Sequence, residues 1–297
     1  MSGFGKRVLQ AFVRAAYPDR CLVCGRSRTG RPVTDQACFP APLPPKLQLK
    51  RSAPGDAAAM DAVRAAVFKT WHFENLLRPF VCGACRATFT PITPPLCRRC
   101  GTLFKSRVGD SHLCGGCLRK PGRYTLARAV GLYDQVMMAL VHLLKYRGKV
   151  QLARPLGRCL FAEFLRHWEG GAVDIVVPVP MHIKRWRQRG FNQAWLLVSE
   201  WCQLASAMEG GEPSFCVTPH LLERHKATKP QSGLGRAHRR ANVRQTMTVA
   251  CAPQAHGQHV LVVDDVLTTG ATVDECARVL LAAGAARVDV LTLARVV

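Results

Sequence analysis

Two groups of residues in this chain are spaced so that they could do chemistry. The first is a set of cysteines. Eight of the 14 fall in four C-x-x-C pairs: Cys21/Cys24, Cys82/Cys85, Cys97/Cys100 and Cys114/Cys117. A C-x-x-C turn lets two thiolates hold one ion while nearby backbone N–H groups point at sulfur, and a second pair completes the tetrahedron that structural zinc prefers. The competing readings are disulfides and a redox dithiol. The first twenty residues lack the apolar core of a secretion signal, and repetition of the pair does not suit a thioredoxin-like site. Zinc is therefore expected, as one ion or two, because residues 26–81 separate the first pair from the others and leave its role open.

The second group is HVLVVDDVLTTGAT, residues 259–272. Four apolar residues read as a buried strand, two adjacent carboxylates stand at its exit, and a Thr/Gly loop enters a helix. Thr268, Thr269, Gly270, Ala271 and Thr272 can offer backbone N–H groups and hydroxyls to a phosphate, helped by the positive end of the following helix. Asp264 and Asp265 can accept from sugar hydroxyls beside it. The combination suits a ribose 5-phosphate, and it is neither a P-loop nor a dinucleotide fingerprint.

The elements that must carry these groups follow from periodicity. Beyond residue 120, short β-rich runs alternate with longer helical ones, as in a parallel sheet flanked by helices. Strands are expected at 129–133, 175–179, 260–263 and 288–294, and helices near 136–145, 152–168, 192–205 and 272–283, with Gly284 placed to end the last. Ligands of such sheets bind where strands end and helices begin. We divide the chain into a zinc-binding head, 1–120, containing a Pro-rich insertion at about 26–81, and an α/β body, 121–297. Val8, Leu9, Phe12, Val13 and Ala16 recur at helical spacing, further helices are expected near 60–73 and from Arg236 onward, and the six remaining cysteines read as ordinary small residues.

The chain has 297 residues, 48% of them apolar, and a formal net charge of +23. That composition excludes a disordered basic tail and favours a polyanionic partner. No apolar stretch is long enough for a membrane span, and a cytoplasmic location is expected. Cations concentrate in two places: VPVPMHIKRWRQRGFNQ, 177–193, and Arg224–Arg244, which begins a run without a carboxylate up to Asp264.

These stretches, with YPDRCLVCG and the VLVVDDVLTTGATVDECARVLLAAGA run, resemble the ComF family: a zinc-binding head joined to a type I phosphoribosyltransferase-fold body. Met247 stands where that family tends to have Phe. The resemblance implies that Asp264 and Asp265 grip the ribose hydroxyls and that the Thr/Gly loop holds the 5-phosphate. It implies a pyrophosphate loop using Lys184, Arg185, Arg189, Asn192 and Gln193, and a flexible hood using Arg224, Thr228, Gln231, Arg239 and Asn242. Lys145 and Tyr146 also match, in a role that is as readily structural. The implied ligand is 5-phosphoribosyl 1-diphosphate with Mg²⁺, and the implied reaction is displacement at C1, although no general base or acceptor site can be read. The family's link to DNA uptake in natural transformation implies single-stranded DNA and DNA-uptake proteins as partners. The alternative is a non-catalytic factor that handles single-stranded DNA through its basic surface and zinc head, with Trp186, Phe191 or His225 as stacking groups.

Overall fold

The computed structural model describes residues 18–27, 64–68, 70–168, 172–226, 243 and 245–297. The expected helices at 8–16 and from Arg236, most of the Pro-rich insertion, Cys38, Thr228, Gln231, Arg239 and Asn242 lie outside the described residues.

Among the described residues of the head, 64–68 are helical, within the helix expected near 60–73, and three further short helices follow: α1 (Phe73–Leu77), α2 (Gly83–Ala87) and α3 (Gly115–Arg119). The body runs β1 (Ala127–Leu132), α4 (Gln135–Tyr146), α5 (Ala153–His167), β2 (Ile175–Pro178), α6 (Ile183–Arg189), α7 (Gln193–Val198), α8 (Trp201–Glu209), β3 (Cys216–Val217), β4 (Leu222–Arg224), β5 (Met247–Val249), α9 (Ala252–Ala255), β6 (His259–Leu267), α10 (Ala271–Ala282) and β7 (Arg287–Arg295). The single helix expected over 192–205 is two, α7 and α8. Gly284 takes positive φ behind α10, and Ala285 N–H bonds back to Leu280 at 3.1 Å, so the helix ends where expected.

Five parallel strands form the sheet in the order β1-β7-β6-β2-β3, and β4 and β5 make a separate antiparallel pair. The central strands are apolar on both faces because helices cover both. Leu261, Val263, Leu291 and Leu293 face a core built with α4, α5, α7 and α8. Val260, Val262, Val288 and Val290 face α10. Met247 is buried there and accepts from the Cys276 thiol at 3.1 Å, so this departure from the family pattern is a packing residue.

Head and body share these cores. Val67, Trp71, Phe73, Leu76 and Leu77 are buried with Leu160 and Phe161 of α5, and the Arg158 guanidinium lies 5.3 Å over the Trp71 ring. Val67, Trp71, Phe73, Leu76 and Leu77, within a stretch grouped by composition with the insertion, are therefore core, because their apolar side chains complete the face of α5. Residues 90–92 run antiparallel along β1, with Leu132 N–H to Thr90 O at 2.9 Å, and so cover an exposed sheet edge.

Candidate functional site

The two central strands end at different heights. β2 pairs with β6 only as far as Pro178 opposite Val263, whereas β7 pairs with β6 out to Arg295 opposite Leu267. The chain leaves β2 toward β3 on one side and leaves β6 toward β7 on the other, which makes their carboxyl ends a topological switch point. A cleft of about 630 Å³ opens there, within the usual range for a small-molecule site.

Asp264 and Asp265 lie on its floor. They belong to β6 itself, since β7 continues alongside and keeps the strand extended beyond the expected end at Val263. Successive strand side chains leave on opposite faces. Asp265 goes toward α4, where Lys145 Nζ meets it at 2.7 Å. Burial disfavours the Lys145 charge, but Asp265 and Asp264 outweigh it and raise the Lys145 pKa. Asp264 keeps Oδ1 for the Asp265 N–H at 2.8 Å. Burial, then the Asp265 charge, push the Asp264 carboxyl up to about 7 against the opposing pull of Lys145. One carboxylate of the pair is thus salt-bridged to Lys145, and the other is raised by burial and by its neighbour's charge.

Above the floor, Thr268, Gly270, Ala271 and Thr272 line the cleft. Gly270 caps α10 at φ +76°, a conformation that costs a side-chain-bearing residue about 1–2 kcal/mol and costs glycine little. Thr269 does not line the cleft; its hydroxyl braces the turn by accepting from Ala271 N–H at 3.4 Å.

The opposite wall is cationic. Arg185 and Arg189 come from α6 and Arg224 from the end of β4. Burial and then the Arg185 charge lower the Arg224 pKa. Burial also lowers that of Arg189, with Arg185 adding to the effect. Crowded guanidiniums of this kind gain from a bound polyanion. Gln193 lines the cleft and accepts from Arg189 Nη1 at 2.5 Å. Asn192 does not line it, because both ends of its amide are engaged: Oδ1 accepts from Ala194 N–H at 3.0 Å as the cap of α7, and Nδ2 donates to Val179 O at 3.1 Å. Lys184 is exposed outside the cleft. Of the hood residues, only Arg224 is described, and it reaches the cleft.

Several lining groups lay outside the expected site. His142, Lys145 and Tyr146 enter from the last turn of α4, and Gln188 from α6. The Arg189 guanidinium sits 5.3 Å over the Tyr146 ring. The spacing of 142, 145 and 146 along one flank of an apolar helix was the available signal, since such polar groups share a helix face.

The cysteines form two groups: Cys21, Cys24, Cys82 and Cys85, and Cys97, Cys100, Cys114 and Cys117, each with its sulfurs within 4.8 Å of one another. Cys24 and Cys82 sulfurs are 3.8 Å apart and those of Cys100 and Cys114 3.7 Å apart, close to the edge of a tetrahedron with zinc–sulfur bonds of about 2.3 Å. Both groups fit a structural zinc, and the first pair closes on the second across the insertion. Burial raises Cys21, but N–H groups of Cys24, Cys82 and Val23 outweigh it and bring the thiol to about 6. Cys97 is brought to about 6 in the same way by Cys114, Cys100 and Arg99. Each group thus starts with one ready thiolate, and burial together with neighbouring thiols raises Cys85 and Cys117. Among the described residues, no helix is long and apolar enough to cross a membrane.

A phosphoribosyl transferase domain model matches residues 225–296, and a double zinc ribbon domain model matches residues 77–118. DNA utilization protein YhgH of Escherichia coli strain K12 is 36% identical over 225 residues, covering 72% of this chain and 90% of that protein. Competence protein F of Haemophilus influenzae is 27% identical over 223 residues, covering 72% and 90%. Competence protein ComFC of Bacillus subtilis is 29% identical over 241 residues, covering 76% and 89%. A parallel sheet of phosphoribosyltransferase type, a double four-cysteine head and relatives aligned over most of their length place this chain in the ComF family.

Proposed function

We propose that the cleft binds 5-phosphoribosyl 1-diphosphate, or ribose 5-phosphate, together with Mg²⁺. The observation that carries this is the placement of Asp264 and Asp265, the Thr268–Thr272 turn, and the Arg185, Arg189 and Arg224 wall around one cavity. The turn and the α10 N-terminus would hold the 5-phosphate, the aspartates the ribose hydroxyls, and the guanidiniums the diphosphate, which their planar forks meet through two oxygens at once. Asp264 and Asp265 are the oxygen donors in the cleft that would hold Mg²⁺, which would supply neutralisation of the ligand's negative charge. If the protein turns over, holding the phosphate fixes the alignment of C1, and the cationic wall stabilises the departing diphosphate in a displacement through an oxocarbenium-like state. Calorimetry tests the assignment: wild type should bind the donor with Mg²⁺, and the Asp264→Ala, Asp265→Ala double variant should not. An unchanged isotherm would remove the pocket from the site.

A second role is favoured by α6, which buries none of its residues and leaves Trp186 48% exposed beside Lys184 and Arg187. Together with the names of the relatives, we take this as a surface for single-stranded DNA in competence and DNA uptake, in the cytoplasm, where thiolates stay reduced. Binding through phosphates should weaken steeply with salt. An affinity flat from low to physiological salt would count against it.

A further inference from the structure

The turn that enters α10 is flanked on both sides by chain that follows or contacts the second four-cysteine group. The segment leaving Cys117 doubles back so that Arg123 donates twice to Asp274 in the first turn of α10, from its backbone N–H to Oδ1 at 2.6 Å and from Nη1 to Oδ2 at 2.8 Å. Tyr124 is buried, and its hydroxyl lies 3.6 Å from where a β-carbon on Gly270 would stand. On the other flank, Arg295 sits opposite Leu267 at the end of β7 and bonds the Cys100 carbonyl, the Cys100 sulfur and the Thr102 hydroxyl. Val296 N–H closes on Leu267 O at 3.0 Å. Cys97, Cys100 and Tyr124 share a buried cluster with Leu267 and Val273.

Electrostatics give these contacts a purpose. A helix N-terminus attracts an anion, but Asp274 places a carboxylate in that same first turn and weakens the attraction. Arg123 pairs with Asp274 and offsets it.

We propose that the second zinc unit is a working part of the phosphate site. Zinc at Cys97, Cys100, Cys114 and Cys117 fixes Arg123 and Tyr124 against α10, and occupancy there sets the affinity for a sugar phosphate. The proposal rests on the sugar-phosphate reading of the cleft. Arg123 and Tyr124 are positioning residues, acting through Asp274 and Gly270.

The test uses the full chain, with ribose 5-phosphate as the calorimetric probe and hydrogen exchange of residues 267–274 measured without ligand. Arg123→Ala should weaken binding about fivefold, as expected for loss of a partly exposed ion pair. The Arg123→Ala, Asp274→Asn double variant should recover to within about twofold of wild type, because the carboxylate that Arg123 masks has gone. Cys117→Ser, losing its zinc, should weaken binding at least about tenfold and accelerate exchange across 267–274. Cys24→Ser should accelerate exchange near 20–27 and 77–85 instead. Wild-type affinity in both Arg123→Ala and Cys117→Ser, with 267–274 unchanged, would overturn the proposal. Should Cys117→Ser fail to fold, the Arg123/Asp274 cycle decides. Should wild type not bind ribose 5-phosphate, the function proposed above falls, and exchange at 267–274 on loss of the second zinc still decides the coupling.

Discussion

Asp264→Asn should make this protein more stable while emptying its cleft. Asp264 is held near pH 7 by burial and by the Asp265 charge, against an ordinary value of 3.8. Between those two values the folded chain holds a proton that the unfolded chain has released, so wild-type stability falls as pH rises from about 4 to about 7 and then levels off. At about 1.4 kcal/mol for each pH unit between 3.8 and about 7, the ionised carboxylate costs at most about 4 kcal/mol at pH 8. Asparagine keeps the Oδ1 acceptor for Asp265 N–H and leaves the Lys145–Asp265 pair in place, so it removes the charge with little else. Partial solvent access at the cleft shares the cost, and we expect a gain of about 2–4 kcal/mol at pH 8, shrinking to below about 2 kcal/mol at pH 5, where wild type is protonated too. Urea unfolding of both proteins across pH 5–8, with zinc retained, reads the difference directly. A difference that does not change with pH, or an Asn variant less stable than wild type at pH 8, would refute the assignment of a buried, repelled carboxylate.

Lys145→Met should destabilise by about 3 kcal/mol, since it strands Asp265 with its side chain only 5% exposed, and it should move the Asp264 midpoint further up; unfolding and the pH onset of ligand binding report the two effects. Gly157→Ala should cost at least about 2 kcal/mol, because its new methyl would stand 2.4 Å from the Leu197 carbonyl oxygen where α5 meets α7; chemical denaturation measures it, and a near-neutral result would mean the two helices slide apart at little cost. Metal analysis under reducing conditions should find two zinc ions per chain, falling to one in Cys24→Ser, whereas a single zinc in wild type would contradict the two groups of four sulfurs.

The carbon, nitrogen and oxygen chemistry of the cleft was legible wherever it is local. A buried strand, two acids and a Thr/Gly turn lie within fourteen consecutive residues, 259–272, and local spacing is what a sequence displays. Where two readings of a motif differed only in where a side chain points, sequence could not choose between them. Asn192 and Gln193 are neighbours, yet one caps α7 while its Nδ2 is drawn to the Val179 carbonyl just past β2, and the other lines the cleft beside Arg189. Sequence leaves the role of Lys145 open for a related reason: its partner, Asp265, is brought to it by the packing of α4 on β6.

By itself, the sequence determined that this chain carries cysteine clusters with the spacing of metal ligands, a parallel sheet between helices, and a Thr/Gly helix-entry turn behind an acidic pair. Each of these is written in short-range pattern, through turn chemistry, strand hydrophobicity and helix capping. Tertiary structure alone decided that Cys21 and Cys24 complete a four-sulfur group with Cys82 and Cys85, that Val67, Trp71, Phe73, Leu76 and Leu77 belong to the core, that β6 outruns β2 to open the cleft, and that Arg123 and Arg295 link the α10 turn and the end of β7 to the second cysteine group. These are pairings between distant segments. They depend on which apolar faces bury one another and where neighbouring strands stop, and no local preference encodes either.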